Sequence, residues 1–498
     1  MARTRAVVRP SGAVPPWPVA GPVAAVIALP GGAAAGALLT GGVLWLLDLG
    51  DGSSEALYTI GGALGLWITW WPLLRSVRAD RLWAWTGALV AAALAAASAV
   101  SSTGEYVRPV WSAPHDTQAG VPAVGSWHDA GVVVRVRADR ATAFRVDGGS
   151  TAWNWSPPGR ETICTLSRRT AEGIGVLGHT TDGTSCTAAT ALDLGTGREI
   201  WRSSMAPVDR LSEDQAPDLI AVTGTTAVLP EARGWRAVRL SDGKDRWRAA
   251  SEKGCTPFLA DGDDRTVVTV DQCGTRTAPA LATYAGHDGR RLGRGRVPAV
   301  GTPRFLTVLA ADPPTLWVHE GDLRGTRAVL RYDERGDIRT TLPTDGPTGE
   351  IRILPGPSSA YLSVLKARPV RSAAVVGDTL VAAEVRPGDR RWVSSGNKPG
   401  YQTSQGRISG FSLTDGTRLW SVDTDDEIEA VVRHGEEVWT IGGGELTAVS
   451  PGTGLRTHEI ATRDTRTGSP ADLWLLGPGG YALVRADGGR AAPVTVLR

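Results

Sequence analysis

The sequence predicts an all-β protein made of repeated four-stranded antiparallel units, preceded by three transmembrane α-helices. Two observations carry this reading: a short pattern that recurs about every 46 residues beyond position 104, and three uncharged apolar runs before it. A third, the position of four cysteines, bears on the compartment.

The apolar runs cover about residues 19–47, 56–74 and 82–101, within a membrane region of 19–103, and contain no charged residue. Each is long enough to cross a hydrocarbon core of roughly 30 Å. Arg3, Arg5 and Arg9 precede the first run, and Arg75, Arg78 and Arg81 lie between the second and third. Asp48, Asp51 and Glu55 lie between the first and second. Basic flanks face the cytoplasm, so residues 1–18 are expected there. After three crossings, residues 104–498 are expected outside. Trp70, Trp71, Trp83 and Trp85 flank the basic loop, where interfacial aromatics belong. Ala97-Ser98-Ala99 resembles a signal-peptidase site, but one cleavable leader does not account for three spans.

The chain carries 53 Lys+Arg against 51 Asp+Glu, a net charge of +2 in 498 residues. A general nucleic-acid binder has a strongly basic face, which this balance does not supply. All four cysteines, Cys164, Cys186, Cys255 and Cys273, lie beyond the apolar runs. They form two local pairs, each bracketing what reads as the first two strands of one unit. Antiparallel pairing brings those ends within disulfide reach, and such bonds persist in oxidising compartments. A Cys₄ zinc site is the competing reading, but no C-x-x-C spacing supports it.

The repeat is a small residue, a Gly six places on and a Trp four places later. It occurs as Ala143-Gly149-Trp153, Ala191-Gly197-Trp201, Ala237-Gly243-Trp247 and Gly410-Gly416-Trp420. Copies without the Trp start at Thr283, Leu330 and Ala448. The period fits four short strands per unit. The Gly stands second in Thr196-Gly197, Asp242-Gly243, Asp288-Gly289, Asp415-Gly416 and Thr453-Gly454, which reads as a two-residue hairpin turn with φ > 0 at both positions. The recurring Trp gives each unit a broad side chain to bury against its neighbour, and accounts for 19 Trp against 4 Phe.

The stretch Ala191-Leu192-Asp193-Leu194-Gly195-Thr196-Gly197-Arg198-Glu199-Ile200-Trp201 closely matches the A-x-D-x-x-T-G-x-x-x-W tryptophan-docking motif. In this the chain resembles the PQQ-like, quinoprotein-type β-propeller family, which includes BamB-type scaffolds, quinoprotein dehydrogenases and extracellular sensor domains of receptor kinases. The resemblance spans most of residues 105–498 and implies a ring of blades held by docking residues Trp153, Trp201, Trp247, Trp420, Gly149, Gly197, Gly243 and Gly416. Counting units gives starts near 121, 160, 216, 254, 303, 350, 427 and 470, hence eight blades, with seven as the alternative. The last unit is one strand short, and Tyr106-Val107-Arg108-Pro109-Val110-Trp111 can supply it from the other chain end. Heavy use of Arg, Ala and Gly with little Lys points to high-GC codon bias and an actinobacterial source.

A fold of this kind does not settle function. A PQQ enzyme would need a catalytic Asp, Ca²⁺ ligands and groups pairing the quinone's carboxylates. The alcohol-type dehydrogenases of the family often carry adjacent cysteines, which this chain lacks. Membrane-bound quinoprotein glucose dehydrogenases share the layout of helices followed by a propeller, and keep PQQ with Ca²⁺ as the alternative. No H-E-x-x-H, G-x-S-x-G or G-x-x-x-x-G-K-[ST] occurs, and the seven histidines show no ligand spacing. The acidic runs at 423–429 and 261–264 read as turns. One long connection, residues 386–406, interrupts two strands and contains Trp392, Lys398 and Tyr401. Hairpin loops are usually 2–5 residues, and long loops on rigid scaffolds often carry binding. The expectation is a membrane-anchored extracytoplasmic propeller that binds a protein or cell-envelope ligand, with no catalytic residue, cofactor or metal of its own.

Overall fold

A computed structural model describes residues 105–498 apart from 117–120, 122, 182–184, 209–217, 275–276, 300–302, 304, 321–324, 347–348, 354–371, 386–389, 396–397, 404–405, 425–427, 463–470 and 486–491. The cytoplasmic tail and three transmembrane helices expected over 1–103 lie outside the described residues. Among the described residues no helix is long and apolar enough to cross a membrane.

The chain beyond 105 is all-β and forms eight blades, as the repeat count requires. The innermost strands start at Ala123, Thr162, Ala221, Thr256, Phe305, Gly349, Ile428 and Ala471. Each blade is an antiparallel meander, and the ring is closed by both chain ends. Pro109–Ser112 forms the outermost strand of blade 8, beside Val494–Leu497, Gly480–Arg485 and Ala471–Gly477. The segment just before it, Glu105–Val107, adds a fifth strand to the outer edge of blade 7.

The core lies between the blades. Eight apolar clusters each span one adjacent pair of blades, so every seam of the ring is packed. The strands supply these clusters because buried Val, Leu, Ala and Ile dominate their inner positions, as in Val132, Val133, Val134 and Val136. Residues on both faces of a blade are covered by neighbouring blades, so central strands read as near-continuous apolar runs.

The register explains the repeat. Its small residue stands directly opposite its Trp: Ala143 pairs with Trp153, Ala191 with Trp201, Ala237 with Trp247 and Gly410 with Trp420. A Cβ on Gly410 would lie 2.3 Å from the Trp420 ring, so the large indole requires a small partner across the ladder. The residue before each Trp is an extra one, and the register shifts there in all four blades. Such a bulge re-aims the side chain that follows it.

The turn differs from the expected two-residue form. Gly197 N–H bonds to Asp193 O at 2.7 Å and Asp193 N–H to Arg198 O at 3.0 Å, enclosing four residues rather than two. Only the Gly has positive φ, +74° at Gly197 and +70° at Gly243, and Thr196 and Asp242 do not. The Asp serves another purpose: Asp242 Oδ1 accepts from Lys244 N–H, and Asp415 Oδ1 from Thr417 N–H. A side-chain oxygen that caps the backbone two residues on favours a turn without any left-handed Asp.

Blade 6 is the irregular one, and it explains the 80-residue gap between the copies starting at Leu330 and Gly410. Its inner strand is split: Gly349–Arg352 and Ala373–Val376 both pair with Thr379–Val385. A first excursion of the sequence, residues 354–371, separates the halves, and Ser372 N–H bonds to Ile353 O at 2.9 Å. The second excursion follows Val385 and rejoins at Gly406–Ser412.

Candidate binding surface

The second excursion of blade 6 holds the residues singled out for binding. The expected loop contains instead a two-stranded hairpin, Arg390–Ser395 paired with Lys398–Thr403. Trp, Val, Tyr and Thr favour extended backbone, which a reading of length and polarity overlooks. Trp392 stands directly opposite Tyr401, and Lys398 opposite Ser395 next to the turn. The hairpin pairs with no other described strand. Residues 390–403 include Arg390, Arg391 and Lys398 and no acidic residue. The hairpin therefore combines an aromatic cross-strand pair with a charge of one sign.

The remaining predicted residues sit at the seams. Trp153 lies over Gly197, Trp201 over Gly243, Trp247 over Gly289 and Trp420 over Gly454, each in the turn of the next blade. The indole N–H donates to the carbonyl three residues before that Gly: Leu194 at 2.8 Å, Leu240 at 2.7 Å, Gly286 at 3.0 Å and Pro451 at 2.6 Å. Trp111 repeats this contact against Gly149 and Val146, outside the repeat pattern because its own unit is divided between the chain ends. Gly416 receives no Trp; Thr340 of blade 5 lies against it instead and donates to Thr414 O at 3.0 Å. Disulfides join Cys164 to Cys186 and Cys255 to Cys273.

The axis of the ring carries polar groups that no local motif announces. Arg168, just past the inner strand of blade 2, donates to Asp218 of blade 3 at 2.7 Å and lies 3.7 Å from Asp261 of blade 4. Thr307 of blade 5 also donates to Asp218, at 3.3 Å. Burial alone would lower the pKa of Arg168, but Asp218 and Asp261 outweigh it and raise it. The carboxylates that these inner strands bring together are thus already paired with a fixed cation. Among the described residues no three His, Cys, Asp or Glu are placed to hold a metal. This donor set does not fit a Ca²⁺ site.

A second buried cluster has the order of a catalytic triad. Glu161 meets His179 Nδ1, and His179 Nε2 lies 2.9 Å from Thr190 Oγ1. Both His179 and Thr190 are fully buried, and Trp155 of blade 1 covers the imidazole edge-on. Burial lowers the pKa of His179 against the pull of Glu161. Sealed in this way, the cluster joins blades 1 and 2. The acidic runs are only in part turns: Asp261 and Gly262 end a strand, Asp423, Thr424, Ile428 and Glu429 lie in strands, and the turn is at Asp263, whose Oδ1 accepts from Arg265 and Thr266 N–H, both at 2.8 Å.

No family model and no curated protein matches the chain. Solved structures with a similar fold include BamB from Moraxella catarrhalis, 14% identical with a TM-score of 0.44 over 79% of this chain and 99% of that one. The Dos1 propeller is 10% identical with a TM-score of 0.48 over 79% and 96%. Saccharomyces cerevisiae Sqt1 is 9% identical with a TM-score of 0.45 over 79% and 98%.

Proposed function

We propose that this chain is a membrane-anchored, extracytoplasmic propeller that acts as a non-catalytic scaffold or sensor for a protein or cell-envelope ligand. The observation that carries the reading is the blade 6 hairpin: a basic, aromatic ribbon set on a ring whose eight seams are each packed. Binding elements raised on rigid frames are held in position without losing access. Trp392, Tyr401 and Lys398 are the contacts assigned to it.

Two disulfides support an oxidising compartment, and the three uncharged runs of residues 19–101 support a multi-pass anchor with a cytoplasmic N-terminus. The tryptophan-docking stretch from Ala191 to Trp201 supports a place among PQQ-like repeat proteins, and the Arg-rich, Lys-poor composition an actinobacterial source. The pairing of Asp218 and Asp261 with Arg168 speaks against a quinone and Ca²⁺ site on the axis.

Titration of the purified full chain with PQQ and Ca²⁺ tests the reading, followed by quinone absorbance and Trp emission. The scaffold reading expects no saturable binding. One-to-one binding below roughly a micromolar would overturn it in favour of a membrane-bound dehydrogenase.

A further inference from the structure

A basic crevice of about 170 Å³ opens where the ring closes, between blades 8 and 1. Arg135, Arg137, Arg140, His115 and Phe144 line it, with Asp116. Arg135 and Arg137 project from one strand of blade 1, two residues apart, and therefore share a face of the sheet. Both are about nine-tenths buried, and both donate to the same atom, Asp116 Oδ1, at 2.8 and 2.9 Å. Arg140 stands half-exposed and is paired with Asp139. Burial works to raise the pKa of Asp116, but the hydrogen bonds and charges of Arg135 and Arg137 outweigh it and hold the carboxyl ionised below its usual range.

The carboxylate that occupies the two guanidiniums does not belong to the blade. Asp116 lies in the stretch Ala113–Asp116, which has no strand structure and follows the closing strand Pro109–Ser112. Ala113 is buried and its N–H bonds to Val494 O at 2.8 Å, so the segment is anchored one turn of chain before its acid.

We propose that this crevice is a carboxylate-binding site, filled from within by Asp116 and open to a carboxylate presented by a partner. Converging guanidiniums are the protein groups best matched to carboxylates. The space left open beside Asp116 is about 170 Å³, below the roughly 300 Å³ at which small-molecule and cofactor pockets start, so it suits an acidic side chain or a chain terminus. The internal acid competes at a local concentration in the millimolar range or above, which sets the affinity an outside ligand must reach. The site stands on these contacts alone and holds whether or not the hairpin of blade 6 binds anything.

Sodium acetate is the probe, titrated calorimetrically into the purified full chain, wild type and Asp116→Ala, with sodium chloride at equal ionic strength as reference. The expected result is saturable acetate binding by Asp116→Ala at a half-saturation at least tenfold below that of wild type, lost in Asp116→Ala/Arg137→Met. Asp116→Asn takes the place of the alanine variant if that one does not fold. No saturable acetate binding in the folded variant, or an equal response to chloride or inorganic phosphate, would overturn the assignment. So would failure of both Asp116 variants to fold, since the acid would then be structural.

Discussion

Trp111 lies flat against Gly149, and its indole N–H donates to Val146 O at 2.9 Å. A Cβ on Gly149 would stand 2.6 Å from the ring, and the glycine has φ = +70°. This contact helps tie the strand contributed by the N-terminal side to blade 1, across the seam that closes the ring. Gly149→Ala is expected to cost about 2–4 kcal/mol, from left-handed strain and loss of ring contact together. Trp111→Ala costs about 3–5 kcal/mol, and Trp111→Phe about 1 kcal/mol for the lost hydrogen bond. Denaturant unfolding of the three variants checks both the order and the size.

Arg168 holds carboxylates from two blades on the axis. Arg168→Met leaves Asp218 and Asp261 buried without their cation, at a cost of about 3–5 kcal/mol. Adding Asp218→Asn should recover part of that loss. A double-mutant cycle reads the coupling directly, and strictly additive losses would show that the pair does not act together.

The disulfides close loops of 22 and 18 residues. Loops of that size restrict the unfolded chain enough to contribute about 3 kcal/mol each. Paired Cys→Ser variants of either bond should show a lower melting temperature than wild type under non-reducing conditions. Reductant should then bring wild type down toward the double-pair variant.

Asp271 is buried and accepts from Trp235 Nε1 at 2.8 Å across the seam between blades 3 and 4. Burial raises its pKa above the ordinary carboxylate value. The folded state therefore holds the proton more tightly than the unfolded chain does. Stability from this group is fully present below the unfolded pKa and is lost as pH rises through the folded one. Asp271→Asn keeps an acceptor for Trp235 and removes that loss. Its melting temperature should exceed that of wild type at pH 7 and converge with it toward pH 4.

Much of this was legible because the repeat is periodic and each residue in it has one job. The small residue, the Gly and the Trp are spaced by a cross-strand pair and a turn, so the spacing itself reported blades. Legibility failed where a blade uses other means. At the seam between blades 4 and 5 Gly293 replaces the Trp, and the strands approach backbone to backbone, with Arg294 N–H bonded to Arg335 O at 2.9 Å. The spacing of Thr283 and Gly289 still marks the unit, but a missing side chain gives no sign of how its seam is held. The split strand of blade 6 hides for the same reason, since its halves are joined in space by Thr379–Val385 and not in sequence. Arg168 with Asp218, and Asp116 with Arg135 and Arg137, meet only once the ring has closed. The Asp-Gly turn misled in a different way, because its Asp caps the turn instead of adopting positive φ.

The central claim is that the blade 6 hairpin is the binding element of an extracytoplasmic scaffold. A photo-reactive phenylalanine placed at Trp392 or Tyr401 of the full chain in intact cells tests it most directly, with Leu455, 68% exposed on blade 7, as the comparison position. The account predicts a discrete adduct to one membrane or envelope protein from 392 and 401 and none from 455. Identical adducts from all three positions, or none from the hairpin, would contradict it.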